Sequence, residues 1–185
     1  MDDLISRALD LAKVRGTGYA DIRIVITGQE RISLRNGVVD TLSVDESLGF
    51  GVRVLVNGCW GFASSHDLTS KEVDRVTALA VDIAKASGTL SKGAVDLGPP
   101  VTSRGTYTTP IEEDPFTIST DHKLALLMDA DQRMASVKGV RSRQGNLVFI
   151  KEEKTFANSE GAHVEQTVYE AGGGIAANEI GSAHV

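Results

Sequence analysis

The chain has 185 residues, of which 41% are hydrophobic and 24% charged, which is typical of a globular protein with one ample domain or two small ones. Its formal net charge is −6 and its Lys and Arg residues are scattered, which disfavours direct binding to DNA or RNA because such binding normally needs a basic stripe. No apolar run approaches the roughly 18 residues that a membrane-spanning helix requires.

The first predicted element is a helix over Asp3–Val14, closed by Gly16 and Gly18. Its apolar residues recur at helical spacing on one face, at Leu4, Ile5, Ala8, Leu9 and Ala12. The chain start, Met1–Leu4, is acidic where a secretory signal is basic, so we expect a cytoplasmic protein rather than an exported one.

After this helix the apolar period changes to two, which predicts an antiparallel β-meander with one buried face. Val25, Val39 and Leu55 break the pattern. The residues assigned to the buried face all have even numbers: Ile22, Ile24, Ile26, Ile32, Leu34, Val38, Leu42, Val44, Leu48, Phe50, Val52, Val54, Val56, Trp60 and Phe62.

Two Asn-Gly pairs, Asn36-Gly37 and Asn57-Gly58, are typical of two-residue hairpin loops. A two-residue loop pairs an even position with an odd one, which would place Leu34 and Val38 on opposite faces. Keeping the even-numbered face intact requires a loop of odd length. We therefore predict three-residue loops, Arg35–Gly37 and Val56–Gly58, each with its glycine in the left-handed conformation of a bulge.

A second helix is predicted over Ser70–Ser87, with a capping box at Thr69–Glu72 and Gly88 as its end. The stretch Thr89–Pro115 contains all four prolines and predicts an irregular connector. A third helix over Thr120–Val137, stopped by Gly139, is followed by predicted strands at Val140–Gln144, Leu147–Ala157, Ala162–Glu170 and Gly174–Asn178.

These elements predict an α+β fold in which a helix followed by an antiparallel β-meander occurs twice, with the helices packed on one face of the sheet or sheets. Gly37 and Gly161 are separated by the same number of residues as Gly49 and Gly173, which favours such a repeat. The predicted organisation is a helix–meander–helix unit over 1–90, a connector over 91–118 and a second helix–meander unit over 119–185.

The residues that usually carry chemistry do not converge in this sequence. The four histidines, His66, His122, His163 and His184, contain no pair three to five residues apart, so no helical metal pair is predicted. Adjacent carboxylates, as at Asp45-Glu46, point to opposite faces of a strand, and so do those of Glu152-Glu153. Cys59 has no cysteine partner and is expected to pack in a strand of a protein in a reducing compartment. We predict no catalytic, cofactor-binding or metal-binding residue in this chain.

Two glycine-bearing segments are expected to be structural. Gly172–Gly174 lacks the phosphate-loop pattern and is interpreted as a bulge or a close backbone approach. Leu48–Val52 places small residues on the outer face of a strand, where they leave room for a partner or an extended peptide.

An ordered series of segments resembles the N-terminal region of the TldD/PmbA family, zinc metallopeptidases often labelled modulators of DNA gyrase. The segments are Tyr19–Arg23, Ser33–Gly37, Gly49–Val56 and Gly58–Ser64. Asp114–Phe116 and Phe156–Gly161 resemble the TldD-like branch. The similarity extends over nearly the whole chain.

This resemblance implies a larger protein whose C-terminal half carries an H-E-x-x-x-H helix that binds zinc. The chain has no such motif, so we expect a truncated, non-catalytic portion with no cofactor of its own. The resemblance also implies a homodimer or a paralogous TldD/PmbA-type partner subunit, and a role in admitting only small or unfolded peptides to the zinc site.

Three hypotheses follow from the sequence. The first is the non-catalytic N-terminal portion of a zinc-dependent peptidase subunit. The second is a stand-alone module whose strand edges accept a peptide or another subunit without hydrolysis. The third, direct regulation of a DNA enzyme such as gyrase, is disfavoured by the acidic charge balance.

Overall fold

The computed structural model describes residues 1–88 and 95–179. In chain order the elements are α1 (Asp2–Val14), β1 (Tyr19–Arg35), β2 (Val38–Val56), β3 (Cys59–Ser65), α2 (Ser70–Gly88), β4 (Arg104–Thr108), α3 (Thr120–Ala135), β5 (Val140–Asn158) and β6 (His163–Glu179). None of these helices is both long enough and apolar enough to cross a membrane.

The strands form one six-stranded sheet in the order β3-β2-β1-β5-β6-β4. The β2–β3 pair is antiparallel, whereas the short strand β4 pairs with β6 in parallel. A helix followed by a long hairpin occurs twice, as α1-β1-β2 and as α3-β5-β6. The predicted α+β fold, with its helices packed against an antiparallel sheet, is therefore confirmed.

The chain divides into two compact units that each draw on separate stretches of sequence. Unit 1 comprises Met1–Thr27, Ser47–Thr108 and Glu152–Thr167, and unit 2 comprises Gly28–Glu46, Thr109–Lys151 and Val168–Val185. The long strands β1, β2, β5 and β6 each contribute residues to both units. The division of the sequence into consecutive segments 1–90, 91–118 and 119–185 stays a prediction.

Unit 1 has the larger core. The apolar faces of α1 and α2 pack with each other and against the even-numbered positions of β1 and β2. Among the buried residues, Ile22, Ile24, Val52 and Val54 have at most 1% of their surface exposed. These positions confirm the period-two pattern in this half of the meander, because the side chains of alternate residues in a strand point to one face.

Unit 2 has a smaller core, formed by Ile32 and Leu34 of β1 with Leu127 of α3. Two charged side chains are buried in it as well. Lys123 of α3 forms an ion pair with Glu30 of β1, and its ammonium group lies 4.6 Å from the ring centre of Phe149. Burying these charges is tolerated because each has the other as a partner.

The prediction of three-residue hairpin loops is wrong. Asn36 and Gly37 have φ angles of 50° and 77°, and Asn57 and Gly58 have 50° and 79°. Two consecutive positive φ angles define a type I′ turn, whose twist matches that of the flanking strands. Both loops therefore contain two residues, and Val56 pairs directly with Cys59.

The even length of the Asn57-Gly58 loop moves the buried face to odd-numbered positions in β3, whereas the first part of β2, over Val38–Glu46, is mostly exposed at positions of both parities. Val38, Leu42 and Val44, which were predicted to be buried, are 53–73% exposed, and Phe62 is 57% exposed. In β3 the buried residues are instead Cys59, Gly61 and Ala63. Small residues occupy these positions because α2 packs closely: a Cβ on Gly61 would lie 1.9 Å from the carbonyl oxygen of Ala80.

Several boundaries differ from those predicted. β5 and β6 continue through Gly145 and Gly172–Gly174, where interruptions were expected. A close approach does occur at Gly173, whose added Cβ would lie 2.7 Å from Leu147 Cδ2. The predicted connector contains β4, whose five residues are all exposed, so no apolar period marks it in the sequence. Residues 89–94 of the connector lie outside the described part of the chain.

The start of α2 follows the predicted cap in part. The Thr69 hydroxyl accepts a hydrogen bond from the Glu72 N–H at 3.3 Å, as a capping box requires. The reciprocal bond is replaced, because the Thr69 N–H donates to the Asp67 carbonyl and the Glu72 carboxylate pairs with Arg75 at 2.7 Å.

A candidate peptide-binding groove in unit 1

The sheet face opposite the α1–α2 core in unit 1 contains a groove of about 820 Å³, which we call the outer-face groove. Its volume lies within the range of roughly 300–1,000 Å³ that is usual for ligand pockets. It is lined by Asp21, Arg23 and Val25 of β1, by Gly49–Gly51 and Arg53 of β2, and by Phe62, Ser64, Ser65 and His66 of β3 and the segment that follows it.

One end of the groove is organised around a buried carboxylate. The Asp21 side chain is only 6% exposed and accepts hydrogen bonds from the Arg53 guanidinium, at 2.9 Å from Nε and 2.8 Å from Nη2. That guanidinium stacks 4.6 Å above the ring centre of Trp60. Asp21 is therefore neutralised in place, and the plane of Arg53 is fixed by the indole.

Tyr19 completes this cluster. Its ring meets Trp60 edge to face at 5.8 Å. Burial, and next the charge of Asp21, raise the pKa of the Tyr19 hydroxyl above its usual value. Burial lowers the pKa of the Arg53 guanidinium, but the hydrogen bonds and charges of Asp21 and Tyr19 outweigh it, so the pKa is raised above its usual value. Tyr19 and Trp60 thus support the Asp21–Arg53 ion pair, which is the part of the cluster that lines the groove.

A second cation, Arg23, lies one step along β1 on the same face, because alternate residues of a strand share a face. Its side chain is exposed, and its guanidinium lies 5.5 Å from the ring centre of Phe156. Within residues 1–88 and 95–179, no carboxylate forms an ion pair with Arg23. Arg23 therefore offers the groove a positive charge.

The floor of the groove is the backbone of β2. Gly51 has no side chain because the ring of Phe62 covers it: an added Cβ would lie 2.7 Å from that ring. At Gly49 the nearest atom to an added Cβ is a backbone oxygen at 3.8 Å. The exposed Phe62 ring and the bare strand beside it create the apolar part of the groove. The sequence prediction of space at Leu48–Val52 is consistent with this geometry.

The other end of the groove lies where β3 leads into α2. Ser65 and His66 line the groove here, and the neighbouring carboxylate of Glu72 has its pKa lowered to about 2 by a hydrogen bond from Arg75, by one from Ser65 and by the charges of Arg75 and His66. The Glu72 charge beside this end is thus balanced by Arg75, with which it forms an ion pair at 2.7 Å.

The structure places the sequence-predicted histidines apart from one another. His66 is exposed before α2, where it lines the outer-face groove, and His122 is exposed in the first turn of α3. His163 begins β6, and His184 lies outside the described residues. The carboxylates Asp45 and Glu46 are exposed on β2, and Glu152 pairs with Lys154 at 2.6 Å.

One group of possible metal ligands does come together in unit 1. Ligand atoms of Asp2, His163 and Glu165 lie within 4.8 Å of one another, with both carboxylates exposed. Catalytic zinc sites of peptidases commonly use two imidazoles and one carboxylate, held rigidly and partly shielded from solvent. This set has one imidazole, and one of its carboxylates belongs to the second residue of the chain, so it does not fit a peptidase zinc.

Other segments behind the family resemblance organise turns. The Asn158 side chain accepts hydrogen bonds from the N–H groups of Glu160 and Ala162, at 3.1 Å and 2.8 Å, and donates one to the Val101 carbonyl. In unit 2, Asp114 accepts from the Phe116 N–H at 2.8 Å and from the Tyr169 hydroxyl at 3.0 Å. Asn158 and Asp114 therefore stabilise the local backbone, and neither lines the groove.

The sequence analysis did not predict that the residues of the groove come together. Its charged residues Asp21, Arg23 and Arg53 come from two strands and were noted only as parts of the resembling segments. Their shared odd parity was an available signal, since a strand with one buried face exposes the other. What could not be read was the even-length turn that brings Phe62 and Ser64 onto that face.

Comparison with known proteins identifies the family in two blocks. Residues 20–84 match the family model described as PmbA/TldA metallopeptidase domain 1, and residues 113–179 match the PmbA/TldA metallopeptidase central domain. A metalloprotease of Methanothermobacter thermautotrophicus is 31% identical over 147 residues, which are 80% of this chain and 31% of that protein. A metalloprotease of Methanocaldococcus jannaschii is 26% identical over 147 residues, which are 80% of this chain and 32% of that protein. The chain thus spans about a third of the length of the curated relatives it matches.

Solved structures share the fold. A proposed modulator of DNA gyrase from Bacteroides thetaiotaomicron superposes with a TM-score of 0.78 at 15% identity, over 100% of this chain and 42% of that one. TldE from Thermococcus kodakarensis gives a TM-score of 0.66 at 13% identity, over 96% of this chain and 43% of that one. The chain belongs to the PmbA/TldD metallopeptidase family, of which it carries the first and central domains.

Proposed function

We propose that this chain is the non-catalytic part of a PmbA/TldD-type metallopeptidase subunit, and that it guides small or unfolded peptides towards a zinc site held elsewhere in the subunit. The observation that carries the proposal is the outer-face groove in a chain of this family. The groove combines a strand face that is uncovered at Gly49, an exposed aromatic ring and a guanidinium that no carboxylate of the described residues pairs with, which suit an extended peptide better than a compact small molecule.

The zinc of the family is assigned to no residue of this chain. The one described group of three ligand atoms, around His163, does not match the donor set of a peptidase zinc. No step of peptide hydrolysis is therefore derived from these residues. Their proposed role is to bind and orient the peptide. The cytoplasmic location and the TldD-like branch stay predictions.

A cleavage assay tests the non-catalytic part of the proposal. The chain is incubated with an unstructured peptide in the presence of zinc, and the peptide is followed by mass spectrometry. We expect the peptide to stay intact. Cleavage that a chelator abolishes, and that H163A also abolishes, would overturn the proposal and assign the zinc to the Asp2, His163 and Glu165 group.

The second part of the proposal is assembly with another subunit, identical or paralogous. Val38, Leu42 and Val44 share one face of β2 in unit 2, with Asp40 between the first two, and all three are at least 53% exposed. Apolar side chains repeated along one face of a strand are typical of a surface that another protein covers. We therefore assign this β2 stripe to the subunit interface.

A second candidate function rests on the sheet edge. Strand β4 ends the sheet order, and all five of its residues are exposed. An exposed edge strand accepts another strand through its free backbone groups. In this case the chain would be an interaction module that binds a partner at Arg104–Thr108 without hydrolysis. Because two structural neighbours are described as proposed modulators of DNA gyrase, gyrase is a partner to test.

A further inference from the structure

We propose that the outer-face groove recognises the free C-terminal carboxylate of an extended peptide, with Arg23 as the group that binds it. This inference rests on the proposed function and specifies which part of a peptide the groove selects. In this arrangement the peptide carboxylate contacts Arg23, and an apolar side chain near the peptide terminus packs on the exposed ring of Phe62.

The charge balance of the groove supports an anion at Arg23. Arg23 is exposed, and no carboxylate among residues 1–88 and 95–179 forms an ion pair with it, so its positive charge is available to an anion. Asp21, the acidic side chain nearest in sequence, is buried and already bonded to Arg53, so its charge does not repel an incoming carboxylate. A guanidinium offers a planar pair of donors that matches a carboxylate.

Phe156 supports the same assignment through orientation. Its ring lies beneath the Arg23 guanidinium at 5.5 Å and limits the directions that this long side chain samples. Stacking on an aromatic face leaves the N–H groups in the guanidinium plane free to donate. Arg23 is thus held with donors available, which lowers the entropy cost of binding an anion.

The rest of the groove suits an extended chain. The backbone of β2 is uncovered at Gly49, and Phe62 offers an apolar surface, 57% exposed, beside it. At the His66 end the neighbouring Glu72 carboxylate is already paired with Arg75, so Arg23 is the exposed charge in the groove lining that suits a peptide carboxylate.

A matched pair of peptides tests the proposal on the whole chain. Both are unstructured, lack acidic side chains, carry a fluorophore at the N-terminus and have an apolar last residue; one ends in a free carboxylate and the other in an amide. Fluorescence anisotropy is expected to show about tenfold tighter binding of the free acid, the effect of one partly exposed charge-assisted contact. Acetate and phosphate are added as competitors, and we expect neither to displace the peptide at low millimolar concentration.

Variants separate Arg23 from general charge effects. In R23Q the preference for the acid should fall to less than twofold, while R31Q, which removes another exposed arginine of β1 outside the groove, should keep it. F62A should weaken both peptides equally. Circular dichroism confirms that each variant is folded.

The outcomes distinguish this inference from the proposed function. Equal affinity for acid and amide, or an unchanged preference in R23Q, overturns the carboxylate assignment and leaves the groove as a peptide surface. Displacement by phosphate or acetate alone overturns it in favour of a general anion site. Binding of neither peptide overturns both this inference and the peptide-guiding role.

Discussion

Gly61 lies where the backbone of α2 approaches β3 most closely. An added Cβ would be 1.9 Å from the Ala80 carbonyl oxygen and 2.7 Å from the Ala84 nitrogen, so the helix occupies the space that a side chain would need. Ala80 and Ala84 are themselves fully buried and small. This contact explains why a glycine and two alanines, rather than the larger Phe62, face the core.

Replacing Gly61 by alanine should therefore destabilise unit 1. The helix must shift to make room, and overpacking of this kind costs about 2–3 kcal/mol in the free energy of unfolding. Urea denaturation measures the change. G105A, in β4, is the matched control because no atom lies within 4 Å of its added Cβ. A G61A variant as stable as G105A would show that α2 does not pack as described.

Glu72 gives a pH-dependent prediction at the same scale. Hydrogen bonds from Arg75 and Ser65 lower its pKa from 4.5 to about 2. A carboxyl whose pKa is lower in the folded state stabilises the protein above its unfolded pKa, and this contribution is lost as pH falls towards the folded value. The melting temperature of the wild type should thus exceed that of E72Q at pH 7, with the difference shrinking between about pH 4.5 and pH 2. A difference that stays constant over this range would contradict the lowered pKa.

The two hairpin turns show what sequence reasoning decides at the scale of an element and what it does not. The period-two pattern correctly identified the core positions Ile22, Ile24, Ile32 and Leu34 of β1 and the even-numbered positions Phe50–Val56 of β2, but not Val38, Leu42 and Val44, which are exposed. In β3 it failed because the Asn-Gly preference for positive φ fixes an even length for the Asn57-Gly58 loop. As a result Phe62 lies on the exposed face of β3. The close packing of α2 explains why the small residues Gly61 and Ala63 lie on the buried face.

The buried pair of Lys123 and Glu30 links α3 to β1 within unit 2. K123M should lower the free energy of unfolding by about 3–5 kcal/mol, because it leaves the Glu30 charge buried without its partner. The double variant E30L/K123M should recover most of this loss, since no unpaired charge remains. Chemical denaturation of the two variants measures both effects.

The exposed pair of Arg133 and Asp129 serves as the control for that experiment. It joins residues one helical turn apart on α3, with side chains 78% and 58% exposed. R133M should leave the free energy of unfolding close to the wild-type value, because an exposed ion pair contributes little to stability. If K123M were as mild as R133M, the ion pair would not be buried in solution.

At the scale of the whole molecule, the family resemblance in the sequence is confirmed. The two compact units each draw on stretches far apart in the chain, whereas the predicted units were consecutive segments. The strands β5 and β6, of 19 and 17 residues, were predicted as shorter pieces. Glycine was interpreted as an interruption at Gly145 and Gly172, but β5 and β6 continue through both; an added Cβ would lie 3.1 Å from Leu127 Cδ2 at Gly145 and would meet no atom within 4 Å at Gly172. The groove could not be predicted because it depends on the pairing of β2 with β3.

The β2 stripe gives a prediction about assembly. If Val38, Leu42 and Val44 lie in a subunit interface, the variant L42K/V44K should weaken self-association at least tenfold, about 1.4 kcal/mol or more, in sedimentation analysis. V14K, at an 83% exposed position at the end of α1, should have no effect. A wild-type chain that stays monomeric at all concentrations would require a paralogous partner or remove the stripe from the interface.

The central claim is that peptides contact the outer-face groove of a non-catalytic chain. Nuclear magnetic resonance of the ¹⁵N-labelled protein, titrated with an unstructured peptide in the presence of zinc, tests it most directly. We expect saturable shifts of the backbone signals of Gly49, Gly51 and Arg53, with the peptide recovered intact. Shifts confined to Arg104–Thr108, no shifts, or a cleaved peptide would contradict the claim.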